Sequence, residues 1–310
     1  MINDMANNMT INHSDWLRSL SRQQKRHLTL KSDIKGLQSL GLHAGAIAVL
    51  GWLITTAHLP GWLMLPLMLL QGIFLVFLFT LQHETTHYTP FKTRLLNTVA
   101  GQCCGLILLL PPMWFRYFHL AHHRWTQDPQ RDPELASAKP ATRYQYLLYL
   151  SGLPVWKSNI ATILRNACRG CEDNFVPIGK RRTVRIESLM MLGVYLLIAM
   201  AAIVGGFIEL LYVWIIPLLL GQPFLRAYLL AEHAGCTEIN NRFANTRTLI
   251  THPIVRKIAW NMPYHTEHHV YPAVPFFRLP EAHALAQQHL QQKEPGYRSF
   301  HRKYWHDILR

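Results

Sequence analysis

The sequence predicts an all-α integral membrane protein, with four transmembrane helices in two hairpins and a cytosolic helical cap. Composition and hydrophobic pattern both indicate this class. Half of the 310 residues are hydrophobic and only 15% are charged, whereas charged residues make up about 25% of a soluble domain. Four apolar stretches are also long enough to cross a bilayer, which takes about 20 helical residues.

The four apolar stretches fall into two pairs. A short connection with Pro60-Gly61 joins the members of the first pair, and one with Gly205-Gly206 joins those of the second. Such brief interruptions by turn-forming residues predict two tight helical hairpins. The predicted spans are residues 37–58, 62–81, 189–207 and 211–230.

Two further segments are apolar but do not suit a simple span. Residues 99–110 are too few to cross a bilayer and end at Pro111-Pro112, which favours a re-entrant or interfacial segment. Residues 144–164 mix aromatic side chains and leucine with Lys157. This mixture predicts a segment that lies in the membrane interface.

The distribution of lysine and arginine predicts the orientation. All 31 of these residues lie before the first span, between the second and third, or from the end of the fourth onward. Cationic loops stay cytoplasmic, so both termini and the central loop are predicted to face the cytosol of a bacterial inner membrane. The predicted parts are a cytosolic N-terminal segment (1–36), a first transmembrane hairpin (37–82), a cytosolic and interfacial region (83–188), a second transmembrane hairpin (189–230) and a cytosolic C-terminal region (231–310).

The net charge of +14 at pH 7 is typical either of cationic membrane loops or of a nucleic-acid-binding protein. The charges flank the apolar runs instead of forming one basic stripe, which favours the membrane interpretation. No nucleic-acid partner is therefore predicted. The five cysteines form no disulfide framework, and Cys168-Arg-Gly-Cys171, without a second pair, is a weak indication of zinc.

Histidine is unusually abundant, and half of the 18 histidines lie in four places on the predicted cytosolic side. An HxxxH pattern ends the second span, HxxHH patterns lie in the central and C-terminal regions, and a single histidine follows the fourth span. Helical residues three and four apart share a face, so each pattern directs two or three imidazoles at one point. The nine histidines are His83, His87, His119, His122, His123, His233, His265, His268 and His269.

Convergent imidazoles predict a metal site, because imidazole binds iron, zinc, copper and nickel. Nine side chains are too many for one ion, so two ions are expected. Carboxylates near the patterns are predicted to orient the rings by accepting their second N–H. The candidates by position are Glu84, Asp128, Asp132, Glu134 and Glu267.

The order HxxxH, HxxHH, HxxHH on two membrane hairpins resembles the membrane-bound fatty acid desaturases and their hydroxylase and ketolase relatives. Residues 83–90, 119–134 and 260–279 are similar to bacterial members, and the resemblance extends from about residue 40 to 290. It implies that the cap carries a di-iron site whose ligands are the nine histidines, with no catalytic residue beyond these ligands. It further implies O2 as co-substrate and an external electron donor of ferredoxin, rubredoxin or cytochrome b5 type.

His233 is the least secure of these nine assignments, because it is a single residue after a span and not part of a pattern. Some stearoyl-type relatives place an asparagine four residues before this histidine. Leu229 occupies that position here, and Asn261, just before the last pattern, is a candidate substitute.

The predicted function is O2-dependent desaturation of an aliphatic, preferentially fatty acyl, chain at the lipid bilayer. An acyl-lipid, an acyl thioester and a small aliphatic metabolite all remain open as substrates. A hydroxylase or ketolase of the same superfamily is the alternative, since the same metal site can yield an alcohol. A metal transporter is a remote alternative, because transporters place ionisable ligands near the bilayer midplane and these histidines lie at the cytosolic rim.

Overall fold

The computed structural model describes residues 11–57 and 59–308, and these residues are mostly helical. Four of the described helices are long and apolar enough to cross a membrane, as the sequence predicts. The predicted end of the first span, His58, lies outside the described residues. The candidate spans are Arg22–Thr56, Gly61–Thr85, Ile178–Gly205 and Leu211–His233. The pairing of the helices into two hairpins and the cytosolic side of the cap stay predictions.

Fifteen α-helices and two short strands are present within the described ranges. The helices are α1 (His13–Ser19), α2 (Arg22–Leu28), α3 (Asp33–Thr56), α4 (Gly61–Thr85), α5 (Arg94–Leu108), α6 (Pro112–Trp125), α7 (Arg143–Leu150), α8 (Leu153–Cys168), α9 (Ile178–Gly205), α10 (Ile216–His233), α11 (Arg242–Asn245), α12 (Pro253–Ile258), α13 (His265–Val270), α14 (Leu279–Ala286) and α15 (Tyr297–Lys303). Strands β1 (Thr248–Leu249) and β2 (Lys293–Glu294) pair in parallel. Single turns of 3₁₀ or π helix occupy Pro133–Ala136, Leu211–Ile215, Phe276–Arg278, Gln287–His289 and Tyr304–Ile308.

Helices α4 and α10 extend beyond the apolar stretches that predict them. The second stretch ends at residue 81 and the fourth at residue 230, whereas the helices end at Thr85 and His233. The extra turns contain polar residues that are buried inside the protein, including Glu84 and Glu232. Hydropathy marks only the apolar part of a helix, so it underestimates helices whose polar ends enter a protein interior. These extra turns carry His83, the first histidine of the HxxxH pattern, and His233, the single histidine of the fourth span.

A sharp bend separates α5 from α6. Leu109 adopts a left-handed conformation (φ 55°) that ends α5, and Pro111 and Pro112 begin α6. The two helix axes differ by 100°, which is the geometry of a broken span or a re-entrant loop. This agrees with the prediction that residues 99–110 do not form a simple span. The bend directs α6, with its three histidines, across the end of α4.

The segment of residues 144–164, which is predicted to lie in the membrane interface, consists of parts of two helices. Gly152 has a left-handed backbone (φ 70°) between α7 and α8, and Pro154 lies in the first turn of α8. Proline fits the first helical turn, where its missing N–H is not needed. The chain therefore turns at residues 151–152 and begins a new helix.

Helices α4 and α10 form the centre of the membrane domain. Gly72 and Gly221 face each other across their contact, where a Cβ on Gly72 would lie 2.0 Å from the Pro217 carbonyl oxygen. A Cβ on Gly221 would lie 2.4 Å from the Gly72 carbonyl oxygen. Small residues allow such close approach of helices in membranes. The contact places the ends of α4 and α10, with His83 and His233, at the same end of the fold.

Candidate metal centre

The nine histidines predicted from the sequence patterns come together in one place. They reach it from the end of α4 and the turn that follows, from α6, from the end of α10, and from α13. Seven of the nine residues are buried, and His87 and His123 are half-buried. Four segments that are distant in the sequence thus contribute imidazoles to a single interior site.

Five of these imidazoles form a first cluster. One ring nitrogen from each of His83, His119, His123 and His268 lies within 4.8 Å of the others. The Nε2 atom of His87 lies 2.9 Å from Nε2 of His119, which adds a fifth ring. His268 Nε2 lies 3.2 Å from His123 Nε2. The HxxxH pattern, two members of the first HxxHH and one of the second meet here.

The remaining four imidazoles form a second cluster. One ring nitrogen from each of His122, His233 and His269 lies within 4.8 Å of the others. The Nε2 atom of His233 lies 3.2 Å from that of His122 and 3.1 Å from that of His265. The two clusters touch, because the rings of His123 and His269 stack with centroids 4.0 Å apart.

The outer hydrogen bonds of the second cluster fix which nitrogen of each ring carries the proton. His122 Nδ1 donates to the Asp132 carboxylate at 2.9 Å, and His233 Nδ1 donates to the Asn245 carbonyl at 3.2 Å. The hydroxyl of Thr126 donates to the His122 carbonyl at 2.7 Å, so it accepts from His269 Nδ1 at 3.2 Å. A neutral imidazole has one N–H and one lone pair. In the neutral form of these three rings, the Nε2 atoms therefore carry lone pairs.

These lone pairs point at one another. The His122 and His233 Nε2 atoms, both acceptors, are only 3.2 Å apart, and no proton lies between them to stabilise the contact. His265 lies beside them, with its Nε2 atom 3.1 Å from that of His233. Its other ring nitrogen, Nδ1, lies 3.2 Å from Glu232 Oε1. A cation bound between the nitrogens would remove the repulsion. Metal–nitrogen bonds of about 2.0–2.1 Å place two ligands about 2.9 Å apart at a right angle and about 3.4 Å apart at the tetrahedral angle. The observed spacings of 2.9–3.2 Å fall in this interval.

Unpartnered ring nitrogens also fit bound metal. Within the described part of the chain, both nitrogens of His83 and one of His269 are buried without a hydrogen-bond partner. Burial lowers the pKa of His268 and His269 well below the usual value, and burial with nearby Arg116 and Lys31 lowers the pKa of His87 to about 3. These three rings are therefore neutral, and neutral imidazole is the form that binds a metal ion. The donor set fits a pair of iron ions.

A sequence model described as fatty acid desaturase matches residues 60–301 of the chain. The match includes all nine histidines and both helices of the central contact. The chain belongs to the fatty acid desaturase family. The resemblance carried by the histidine patterns is thereby confirmed at the level of the family.

Curated desaturases are similar to this family member at low identity. Dihydrorhizobitoxine desaturase of Bradyrhizobium elkanii is 26% identical over 257 residues, which cover 76% of this chain and 70% of that protein. The acyl-lipid omega-3 desaturase (cytochrome b5) of the Arabidopsis thaliana endoplasmic reticulum is 22% identical over 299 residues, covering 87% and 77%. Sphingolipid delta(4)-desaturase of Drosophila melanogaster is 25% identical over 245 residues, covering 76% and 67%. These relatives indicate that the chain is an oxidoreductase.

Carboxylates lie beside several rings of this desaturase-family site, and one of them is hydrogen-bonded to its ring. Asp132 binds His122 as predicted, and Glu84 Oε1 lies 3.5 Å from His268 Nδ1. Asp132 also accepts from the Gln127 backbone N–H at 2.8 Å, which fixes the carboxylate in place. Such partners orient a ligand ring and make its metal-facing nitrogen more basic.

Two predicted carboxylates have other partners. Asp128 lies on an exposed turn and accepts from the Arg131 guanidinium at 2.8 Å. Glu267 lies between the histidines of α13 and accepts from Thr248 at 2.6 Å and from His283 at 2.5 Å. On a helix, residue 267 faces away from residues 265, 268 and 269. Neither side chain orients a ring of the two clusters, and the prediction is wrong for both.

Three residues of the site were not predicted from the sequence. Glu232 beside His265, the Asn245 carbonyl beside His233 and His283 beside Glu267 all act across long sequence separations. Glu232 gave one usable signal, because it directly precedes a predicted ligand at the end of a span. His283 lies on α14 with its side chain only 17% exposed, whereas the sequence there suggests a surface helix.

Asn261, the candidate substitute for the asparagine that some relatives place before the single histidine, has a different contact. Its side-chain amide donates to the Phe276 carbonyl at 3.1 Å. A different polar group lies beside the second cluster. The Glu134 carboxylate is 3.4 Å from His122 Nε2, and its other oxygen pairs with Lys139. Burial alone would raise the pKa of Glu134, but the charge of Lys139 holds this pKa well below its usual value.

Proposed function

We propose that this family member is an integral-membrane, di-iron, O2-dependent desaturase that introduces a double bond into an aliphatic chain. The observation that carries the proposal is the pair of adjoining imidazole clusters, with five rings in one and four in the other. Iron is a metal that imidazole ligands suit. The proposed ligands are His83, His87, His119, His123 and His268 for one iron, and His122, His233, His265 and His269 for the other.

The proposed reaction is a balanced four-electron reduction of O2. The substrate –CH2–CH2– gives up two hydrogen atoms and becomes –CH=CH–. An external donor supplies two further electrons, two protons are taken up, and both oxygen atoms leave as water. Bound iron supplies the oxidising power that an unactivated C–H bond requires. The protein contributes binding, orientation and exclusion of water.

Aromatic side chains pack against the first cluster. Phe79 lies one turn before His83 on α4, with ring centroids 6.3 Å apart. Phe115 stacks on His119 at 5.7 Å and packs against Phe79 at 5.3 Å. We propose that these apolar faces hold the reacting part of the chain and keep water from the first cluster. We further propose that the hydrogen bond from His122 to Asp132 keeps this ring in a fixed orientation during turnover.

The same apolar surroundings suit several kinds of aliphatic substrate. A membrane-embedded acyl-lipid, an acyl thioester or a small aliphatic metabolite would each present methylene groups to this site. The names of the relatives refer to dihydrorhizobitoxine, an acyl-lipid and a sphingolipid, so membership of the family does not select one of these substrates. We propose a bacterial inner-membrane location with the metal centre on the cytosolic side, reached there by a ferredoxin, rubredoxin or cytochrome b5 type of donor.

Expression in a bacterial host followed by untargeted lipid and metabolite mass spectrometry tests this function. We expect products that are lighter than their precursors by two hydrogen atoms, formed only in air and only with an electron donor. Products heavier by one oxygen atom would assign the alternative hydroxylase activity. Products that gain one oxygen atom and lose two hydrogen atoms would assign ketolase activity. If protein that holds two irons formed none of these products in several hosts and with several donors, the proposed oxidoreductase function would be contradicted.

A further inference from the structure

The two clusters differ in the number of their imidazoles. Five rings meet in the first and four in the second. The Glu134 carboxylate lies beside the second cluster. It directs an oxygen atom at one of the four rings. Its Oε2 atom lies 3.4 Å from His122 Nε2, the nitrogen that faces His233.

The two outer contacts of His122 show which atoms face Glu134. Asp132 accepts a proton from Nδ1, so Nε2 of the neutral, metal-binding ring carries a lone pair. The carboxylate Oε2 of Glu134 also carries only lone pairs. Two acceptors face each other at 3.4 Å, and a cation between them would turn a repulsion into two bonds.

The backbone holds Glu134 in this position. The Asp132 side chain accepts from the backbone N–H of Glu134 at 2.9 Å and caps the turn Pro133–Ala136. The same carboxylate binds His122, so one residue fixes both the ring and the turn that carries Glu134. The Glu134 Oε1 atom pairs with Lys139, which leaves Oε2 as the oxygen directed at the ring. Lys139 also balances the charge that a carboxylate brings to an otherwise neutral set of ligands.

We infer that Glu134 is a ligand of the second metal ion, which gives that ion four imidazoles and one carboxylate oxygen. The inference rests on the proposed function, because it assumes a metal pair at the clusters. A carboxylate suits iron as well as imidazole does, as in the two-histidine, one-carboxylate sites of other iron enzymes. The two irons would then differ in ligand charge, the first being bound by neutral rings alone.

The test uses full-length, iron-loaded protein in lipid nanodiscs. Residual iron is measured by mass spectrometry as chelator concentration increases, and 57Fe Mössbauer spectra distinguish the two irons. In Glu134→Gln we expect one iron to be lost at a chelator concentration at least about 10-fold lower than in the unchanged protein, a loss typical of a disturbed metal site. We expect the spectrum of that iron alone to change. Glu134→Ala should retain the other iron, which shows that the variant is folded.

Two matched variants separate ligation from other roles. Asp128→Asn makes the same charge change on the same loop, away from the rings, and should retain both irons. Lys139→Met removes the ion pair but leaves the carboxylate, and should also retain both. Equal iron retention and spectra in Glu134→Gln and the unchanged protein would overturn the inference, as would a loss in Lys139→Met that matches Glu134→Gln. Unchanged protein that binds no pair of irons would instead contradict the proposed function.

Discussion

Substitution of His268 by alanine is expected to abolish product formation and to remove the iron from the first cluster. His268 is fully buried, and its Nε2 atom lies 3.2 Å from that of His123. Alanine at this position leaves a cavity and one ligand fewer, and it leaves Glu84 without the ring that it faces at 3.5 Å. Changes in residues that only support a metal ligand cost 10–100-fold, so loss of a ligand should lower activity by at least about 100-fold.

Product formation and iron per chain measure this effect in the same membrane preparation. The exposed His306 provides a matched control, since it lies outside both clusters. His306→Ala should keep both activity and iron. If His268→Ala retained two irons and the activity of His306→Ala, the assignment of His268 as a ligand would be wrong.

Leucine in place of Gly72 is expected to separate α4 from α10 and to disrupt both clusters at once. The first side-chain carbon alone would lie 2.0 Å from the Pro217 carbonyl oxygen and 3.0 Å from the Gly221 nitrogen. These are backbone atoms, so the clash is relieved only by moving a whole helix. Overpacking costs about 1–3 kcal/mol even where side chains can shift. His83 on α4 and His233 on α10 would move apart, although neither residue is altered.

Gly193 on α9 provides the control for this substitution. A Cβ there meets nothing within 4 Å in the described part of the chain, and leucine is the better helix former by roughly 1 kcal/mol. Gly193→Leu should give normal yields of monodisperse protein with two irons, whereas Gly72→Leu should reduce iron-loaded protein by at least about 10-fold. Equal yields and iron contents of the two variants would show that the close helix contact does not position the histidines.

The clustering of the histidines was predictable because it depends largely on short-range spacing in the sequence. Residues three or four apart on a helix share a face whatever the rest of the fold does, so the spacing alone groups His119, His122 and His123. The four spans were equally predictable, because a run of about 20 apolar residues is the characteristic signal of a transmembrane helix. Both features depend on neighbours in the sequence and not on distant contacts.

The supporting residues were less predictable, because their roles depend on contacts between distant segments. Asp132, ten residues from His122, was found by proximity, but the same reasoning wrongly included Asp128 and Glu267. Glu232 meets His265 only because α10 and α13 pack together. The division of the rings into groups of five and four likewise depends on how α6 crosses the ends of α4 and α10. This packing cannot be predicted from the spacing of residues in the sequence.

The location of iron in the folded protein tests the central claim most directly. Crystals of the full-length protein, measured on both sides of the iron absorption edge, give an anomalous difference map in which only iron contributes to the change. We predict two peaks per chain, one among His83, His87, His119, His123 and His268 and the other among His122, His233, His265 and His269. A map with a single peak, with peaks outside these rings, or with none would contradict the claim.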